Sequence, residues 1–181
     1  MKTVFYYWLT TFLLIAFPQA IRAQNSGLMT KENAFLKGTK QLTITYGYGQ
    51  GELVKNRSVS QIQAGYYVAD RLMIGVTGSL MKEWLGEIRS KNRFSGGPLV
   101  RYHFTSSRLS PFVALAYQLG KPVISPTANQ ALIVTPGLNF ALLPAIRLEA
   151  SYSLLFVPVR EQIGQAQVGA TVLFGRKLPR Q

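Results

Sequence analysis

Apolar and polar residues alternate with a period of two along most of this chain, the spacing of strands whose two faces meet different surroundings. Eight such segments are predicted. Gln41–Gly49 sets Leu42, Ile44, Tyr46 and Tyr48 against Thr43, Thr45 and Gly47. Ser60–Ala69 sets Ile62, Ala64, Tyr66 and Val68 against Gln63, Gly65 and Tyr67. Leu72–Trp84, Phe94–Phe104, Pro111–Leu119 and Ala131–Leu142 repeat the pattern. Ile146–Phe156 shows it most clearly, with Ile146, Leu148, Ala150, Tyr152, Leu154 and Phe156 opposite Arg147, Glu149, Ser151 and Ser153. Gln165–Phe174 closes the series.

The connections are expected to alternate in length. Ala69-Asp70-Arg71, Thr105–Ser110 and Leu143-Pro144-Ala145 read as short turns, whereas Gln50–Val59, Leu85–Arg93, Gly120–Gln130 and Val157–Gly164 read as longer loops. Short turns at one end and long loops at the other mark barrels of the outer membrane, whose strands need about 9–11 residues to cross. An even count of strands returns both termini to the short-turn, periplasmic side.

Period alone does not say which face looks outward. A soluble, lipocalin-like ligand carrier would turn the apolar face inward and need many Lys and Glu on the other. Here the second face carries mostly Gly, Ser, Thr and Gln, which suit the narrow interior of an eight-stranded barrel. Tyr48, Trp84, Phe94, Phe104, Phe140, Phe156 and Phe174 near strand ends fit interfacial girdles. The expected fold is therefore all-β: an eight-stranded antiparallel up-and-down transmembrane β-barrel, with the soluble barrel as the alternative.

Met1–Ala23 reads as a secretory signal peptide: Lys2, an apolar stretch from Val4 to Phe17, a break at Pro18, and small residues at Ala20 and Ala23. The domain plan is then a signal peptide (1–23), a periplasmic N-terminal lead (24–39), the barrel (40–174) and a basic C-terminal tail (175–181). The formal charge of +13 and its two-charge reduction on export are a basic signature, yet only 15% of residues are charged and 48% are hydrophobic. An exported, strand-rich chain of this kind is not expected to meet nucleic acid. Zero cysteines remove disulfides, thiolate metal sites and cysteine nucleophiles, and a single His removes a multi-histidine metal centre. Neither a metal nor a cofactor is expected.

Three stretches resemble a known family. Gly65-Tyr66-Tyr67-Val68-Ala69-Asp70-Arg71-Leu72-Met73-Ile74-Gly75 resembles its strand, tight turn, strand pattern. Gly97-Pro98-Leu99-Val100-Arg101-Tyr102-His103-Phe104 followed by Pro111-Phe112-Val113 resembles a second such hairpin. Val168–Phe174 resembles an aromatic-ended last strand, the signal read by barrel-assembly machinery. The family is that of small OmpA/OmpX-like, porin-family outer-membrane barrels of Gram-negative bacteria, and the resemblance implies that location, insertion by the assembly machinery and a monomer. The chain departs from it in the residues after Phe174 and in Pro98 and Pro136, each of which should mark a bulge or a lost ladder bond.

Within such a barrel Arg101, His103, Arg147 and Glu149 should meet in the periplasmic half of the lumen, with Asn139 and Thr171 at similar depth. Glu149 is the only acid on an inward face, so Arg101 or Arg147 should pair with it. The cluster reads as a plug locking the barrel, with ion conduction the other reading. Lys55, Arg57, Arg89, Lys91, Arg93, Lys121 and Arg160 are expected on outer loops. They form either a basic collar pairing with lipopolysaccharide phosphates or a solvated charged surface. The fold also resembles that of enzymes modifying lipid A. His103, however, has only Thr105, Ser106 and Ser107 near in sequence and no acid to orient it, so no activity is expected. Intact-mass analysis of the exported protein should give a chain beginning at Gln24, with Ile21 the alternative start for cleavage after Ala20; retention of Met1–Ala23 would show a membrane anchor instead.

Overall fold

A computed structural model describes residues 34–50, 56–85, 89–120, 129–156 and 162–175. The predicted signal segment, most of the lead and the tail from 176 lie outside these, as do Lys55, Lys121 and Arg160. Eight strands follow in order: β1 (Lys40–Gln50), β2 (Asn56–Ala69), β3 (Leu72–Leu85), β4 (Arg89–His103), β5 (Leu109–Gly120), β6 (Gln130–Ala141), β7 (Ile146–Phe156) and β8 (Gln162–Phe174). Each pairs antiparallel with the next, and β8 returns to β1 from Lys40↔Phe174 to Gln50↔Gly164, closing an up-and-down barrel.

The alternation seen in the sequence becomes an inside and an outside. Ile44, Val76, Leu80, Leu115, Leu148 and Val168 point outward, with Val76 and Val168 61% and 64% exposed. Inward positions hold Thr43, Thr45, Gln61, Gln63, Thr77, Ser79, Gln118, Thr135 and Ser153, all buried. Exposed aromatics ring both ends of the wall: Tyr48, Phe94, Tyr117 and Phe156 near the longer loops, Tyr66, Tyr102, Phe140 and Phe174 near the short turns.

Strands reach further toward the loop end than the sequence pattern predicts. Asn56–Val59 belongs to β2, paired from Asn56↔Trp84 to Val59↔Met81, and Arg89–Arg93 belongs to β4, paired from Leu85↔Arg89. The β3–β4 connection is thereby reduced to residues 86–88, so the expected contrast between long loops and short turns is weaker than the sequence suggests. Backbone pairing extended this ladder through residues that no longer alternate apolar and polar, so the period-two signal stopped short of the strand ends.

Pro98 and Pro136, in strand interiors, interrupt one ladder each. Pairing of β4 with β5 jumps from Gly96↔Leu119 to Leu99↔Ala116, passing over Pro98, although Pro98↔Val76 continues on the other side. Pairing of β6 with β7 jumps from Val134↔Leu154 to Gly137↔Ser151, passing over Pro136. A proline has no N–H to donate, so a closed wall accommodates it by forgoing one neighbour. At the β2–β3 turn the register shifts between Tyr67 and Ala69, and Arg71 takes φ 68°.

Inward glycines make room for the larger interior side chains. A Cβ on Gly137 would lie 2.4 Å from the Phe112 ring and 2.8 Å from Ser151, whereas one on outward Gly78 would meet nothing closer than 3.6 Å. Gly137→Val should therefore destabilise the refolded barrel by about 1–3 kcal/mol, the usual cost of overpacking, while Gly78→Val leaves the urea midpoint unmoved. Equal midpoints for the two variants would refute this packing of Phe112.

Candidate functional site: the layered lumen

Arg101 on β4, Glu149 on β7, Asn139 on β6 and Thr171 on β8 are all inward and buried near the short-turn end. Arg101 Nη1 donates to Glu149 Oε2 at 2.7 Å and its Nη2 to Oε1 at 3.0 Å, a two-pronged pair. The same Nη2 donates to Gln63 Oε1 at 2.7 Å, and the guanidinium carbon lies 4.2 Å from the Phe112 ring centroid. Thr171 Oγ1 donates to Glu149 Oε2 at 3.3 Å, and Asn139 Nδ2 reaches it at 3.5 Å. A carboxylate fully withdrawn from water requires this density of donors.

Arg147 does not pair with Glu149. Its Nε donates to Asn139 Oδ1, and its Nη2 donates to the carbonyls of Ser107 at 2.8 Å and Arg108 at 3.1 Å. Backbone dipoles of the β4–β5 turn thus share in holding this buried charge.

Beyond this layer the short-turn mouth is filled by Phe35, from the segment preceding β1. Its ring stacks on the His103 imidazole with centroids 3.7 Å apart and planes 18° apart, and lies 5.5 Å from Tyr67. The Arg147 guanidinium carbon is 4.9 Å from the same ring. His103 Nδ1 meets Ser110 Oγ at 3.1 Å, while Ser110 Oγ donates to the Thr105 carbonyl at 2.6 Å. Ser110 therefore accepts from Nδ1–H. Its proton is committed elsewhere, the reverse of a nucleophile delivering its proton to a histidine base.

Toward the loop end the interior is polar, then mainly apolar around the buried cation Arg57. Thr45 donates to Gln167, Gln61 to Thr77, Ser95 to Gln118 and Gln118 to Ser79, while Thr135 pairs with Ser153. Above them Val59, Met81, Ile133, Leu155 and Ile163 are buried inward. The described lumen thus closes with aromatic residues at the short-turn end and with mainly apolar ones around Arg57 at the loop end, polar and charged layers lying between.

Of the residues expected in the lumen cluster, the structure brings Arg101, Glu149, Asn139, Thr171 and Arg147 into one hydrogen-bonded layer, and puts His103 beside it under Phe35. The outer basic set is altered. Arg57, expected on a loop, is a β2 residue with 0% exposure and donates to Met81 Sδ. It sits inside because extension of β2 carries the inward phase of the strand through position 57. Arg93 is half-buried in β4, and Arg89 and Lys91 are β4 residues, not loop residues. Ser110, not the expected Thr105–Ser107 hydroxyls, is the partner of His103; it was hidden because it begins a strand on the far side of the turn. Phe35 was missed because one apolar residue in a polar lead has no periodicity.

No protein-family model matches this chain, and no curated protein matches it. Solved structures do. Neisserial surface protein A is similar with a TM-score of 0.57 at 21% identity, covering 75% of this chain and 96% of that one. The N-terminal β-barrel domain of Pseudomonas aeruginosa OprF is similar at 0.52 and 14%, covering 76% and 98%. The outer membrane protein OprG from Pseudomonas aeruginosa is similar at 0.50 and 10%, covering 80% and 99%. The chain has the barrel fold of these outer-membrane proteins.

Removing the carboxylate should expose how the layer is held. Glu149→Ala leaves the Arg101 charge buried and should lower stability by roughly 3–5 kcal/mol, whereas the joint change Arg101→Met with Glu149→Leu recovers much of that loss. Thermal unfolding of the refolded proteins measures both, and an unchanged transition for Glu149→Ala would remove the locking role.

Proposed function

We propose that this chain is an integral outer-membrane barrel with a structural or surface-interaction role, exported through a cleaved signal peptide and free of enzymatic activity. The observation that carries this reading is the outward band of Ile44, Val76, Leu80, Leu115, Leu148 and Val168, bounded above and below by exposed aromatics. A soluble carrier would expose that band to water at a cost of about 25 cal/mol for every Å². In lipid the same band is favourable, and the closed wall leaves no backbone edge unpaired toward the acyl chains. With the termini on the short-turn side, that side faces the periplasm and the loops face outward.

The interior supports a filled barrel over a pore, since buried side chains occupy both ends and a charge-paired layer crosses the lumen near the short turns. The His103–Ser110 arrangement disfavours the lipid A enzyme. Lys55, Arg89, Lys91, Arg93, Lys121 and Arg160 remain the set for contact with lipopolysaccharide phosphates. Lys82 joins them at the same end of β3. Arg57, held inside, does not.

Charge on the outer face tests the membrane reading. Val76→Arg should cost about 2–4 kcal/mol of folding free energy in lipid bilayers, the depth-dependent penalty for a midplane arginine, and the purified wild type should show heat-modifiable gel migration and no steady conductance. Full solubility without detergent, or a Val76→Arg variant as stable as wild type in lipid, would favour the soluble barrel.

A further inference from the structure

The segment Ala34–Thr39 lies outside the strand ladders yet is fixed in place by them. The Phe35 carbonyl accepts from Arg71 N at 2.7 Å, Lys37 N donates to Asp70 Oδ1 at 2.9 Å, and Gly38 N donates to the Tyr67 carbonyl at 2.9 Å. These bonds hold the backbone at the rim while the Phe35 side chain descends into the mouth, where it is 0% exposed. Its surroundings are chemically selective. An imidazole stacks on it, a guanidinium lies 4.9 Å from its centroid, and the Tyr67 ring tilts against it. Flat π-faces and a cation favour an aromatic ring over an aliphatic group of equal size. His103 Nε2 is fully buried there, with no hydrogen-bond partner among the described residues.

We propose that the short-turn mouth is a binding slot for an aromatic side chain, occupied in cis by the chain's own Phe35. The ligand class it takes is a neutral aromatic ring on a flexible stem. Phe35 is its resident, and residues 34–39 are the tether that keeps the effective concentration of that ring high. Removing the ring while keeping the tether uncovers His103 and leaves a cavity bounded by His103, Arg147, Tyr67 and Phe112.

The single histidine of the chain makes this testable on the full-length barrel. In detergent micelles, carbethoxylation of His103 by diethyl pyrocarbonate, read at the peptide level by mass spectrometry, should be slow in the wild type. In Phe35→Ala it should be at least tenfold faster, with heat-modifiable migration retained. Adding N-acetylphenylalaninamide should restore protection to Phe35→Ala saturably, whereas N-acetylleucinamide should not, and neither should alter the wild type. A folded Phe35→Ala protein as slow as wild type overturns the proposal, as does equal protection by both amides or by neither. Should the alanine variant not fold, Phe35→Leu serves: it fills the space without a π-face and should react at a rate above that of wild type. An equal rate would reduce the slot to an unspecific hydrophobic stopper.

Discussion

Strands β1 and β8 pair along the whole of β1, from Lys40↔Phe174 to Gln50↔Gly164, and that seam turns a meander into a ring. Closure dictates the rest. A sheet with no edge satisfies its backbone groups within its own wall, so its outer surface needs no polar atoms and can be surrendered entirely to apolar side chains. A ring of only eight strands also fixes a narrow interior, which side chains must fill. Both consequences select the same period of two, with bulky apolar residues outward and small or hydrogen-bonding residues inward.

The usual ordering of a folded protein is thereby inverted. Among the described residues the middle of the interior is held by hydrogen bonds and the Arg101–Glu149 ion pair, with apolar side chains packed toward the ends. Each such bond contributes only about 0.5–1.5 kcal/mol net, but an unpaired buried group costs more than a formed bond gains, so the interior is specified chiefly by the penalty for error. The end caps sharpen that penalty. Phe35, Tyr67 and Phe112 on one side and Val59, Met81, Ile133, Leu155 and Ile163 on the other shield the middle from water. In that lowered dielectric Arg101 and Glu149 attract each other strongly, and either alone is expensive. The caps and the charged layer therefore depend on each other.

What the sequence revealed follows from this physics. Wherever a strand separates the apolar outer face from the polar lumen, its two faces differ and the alternation is legible; β7, read as Ile146–Phe156, coincides with the strand found. Beyond the apolar band both faces meet polar surroundings. The alternation fades there while backbone pairing continues, which hid Asn56–Val59 and Arg89–Arg93 as strand and misplaced Arg57. Likewise, Arg101, Arg147 and Glu149 stood out as rare charges on an inward face, but their partners did not. Gln63 and the carbonyls of Ser107 and Arg108 are set by register and turn shape, and no residue pattern encodes a carbonyl as an acceptor for Arg147. Phe35 lacks any periodic neighbour. Its role depends on the mouth it enters, which exists only once the ring has closed.

The same register changes the meaning of the positive charge. Arg57, Arg101 and Arg147 are all withdrawn into the lumen, where Arg101 is matched by the acid Glu149. Arg147 is met by carbonyl and amide oxygens, and Arg57 by a methionine sulfur. Uncharged oxygen and sulfur atoms thus take part in holding interior cations. Part of the chain's basic excess is therefore structural and invisible to any polyanion outside. The remainder has a sharper address. At the short-turn rim, Arg71 donates to the Phe104 carbonyl and lies 6.0 Å from the Tyr102 ring, while Arg108 lies 5.1 Å from the Phe140 ring. These cations are held against outward aromatics at the border of the apolar band. Net charge is thus a poor measure of how strongly such a barrel attracts anions; the fraction left on the two rims is the relevant quantity.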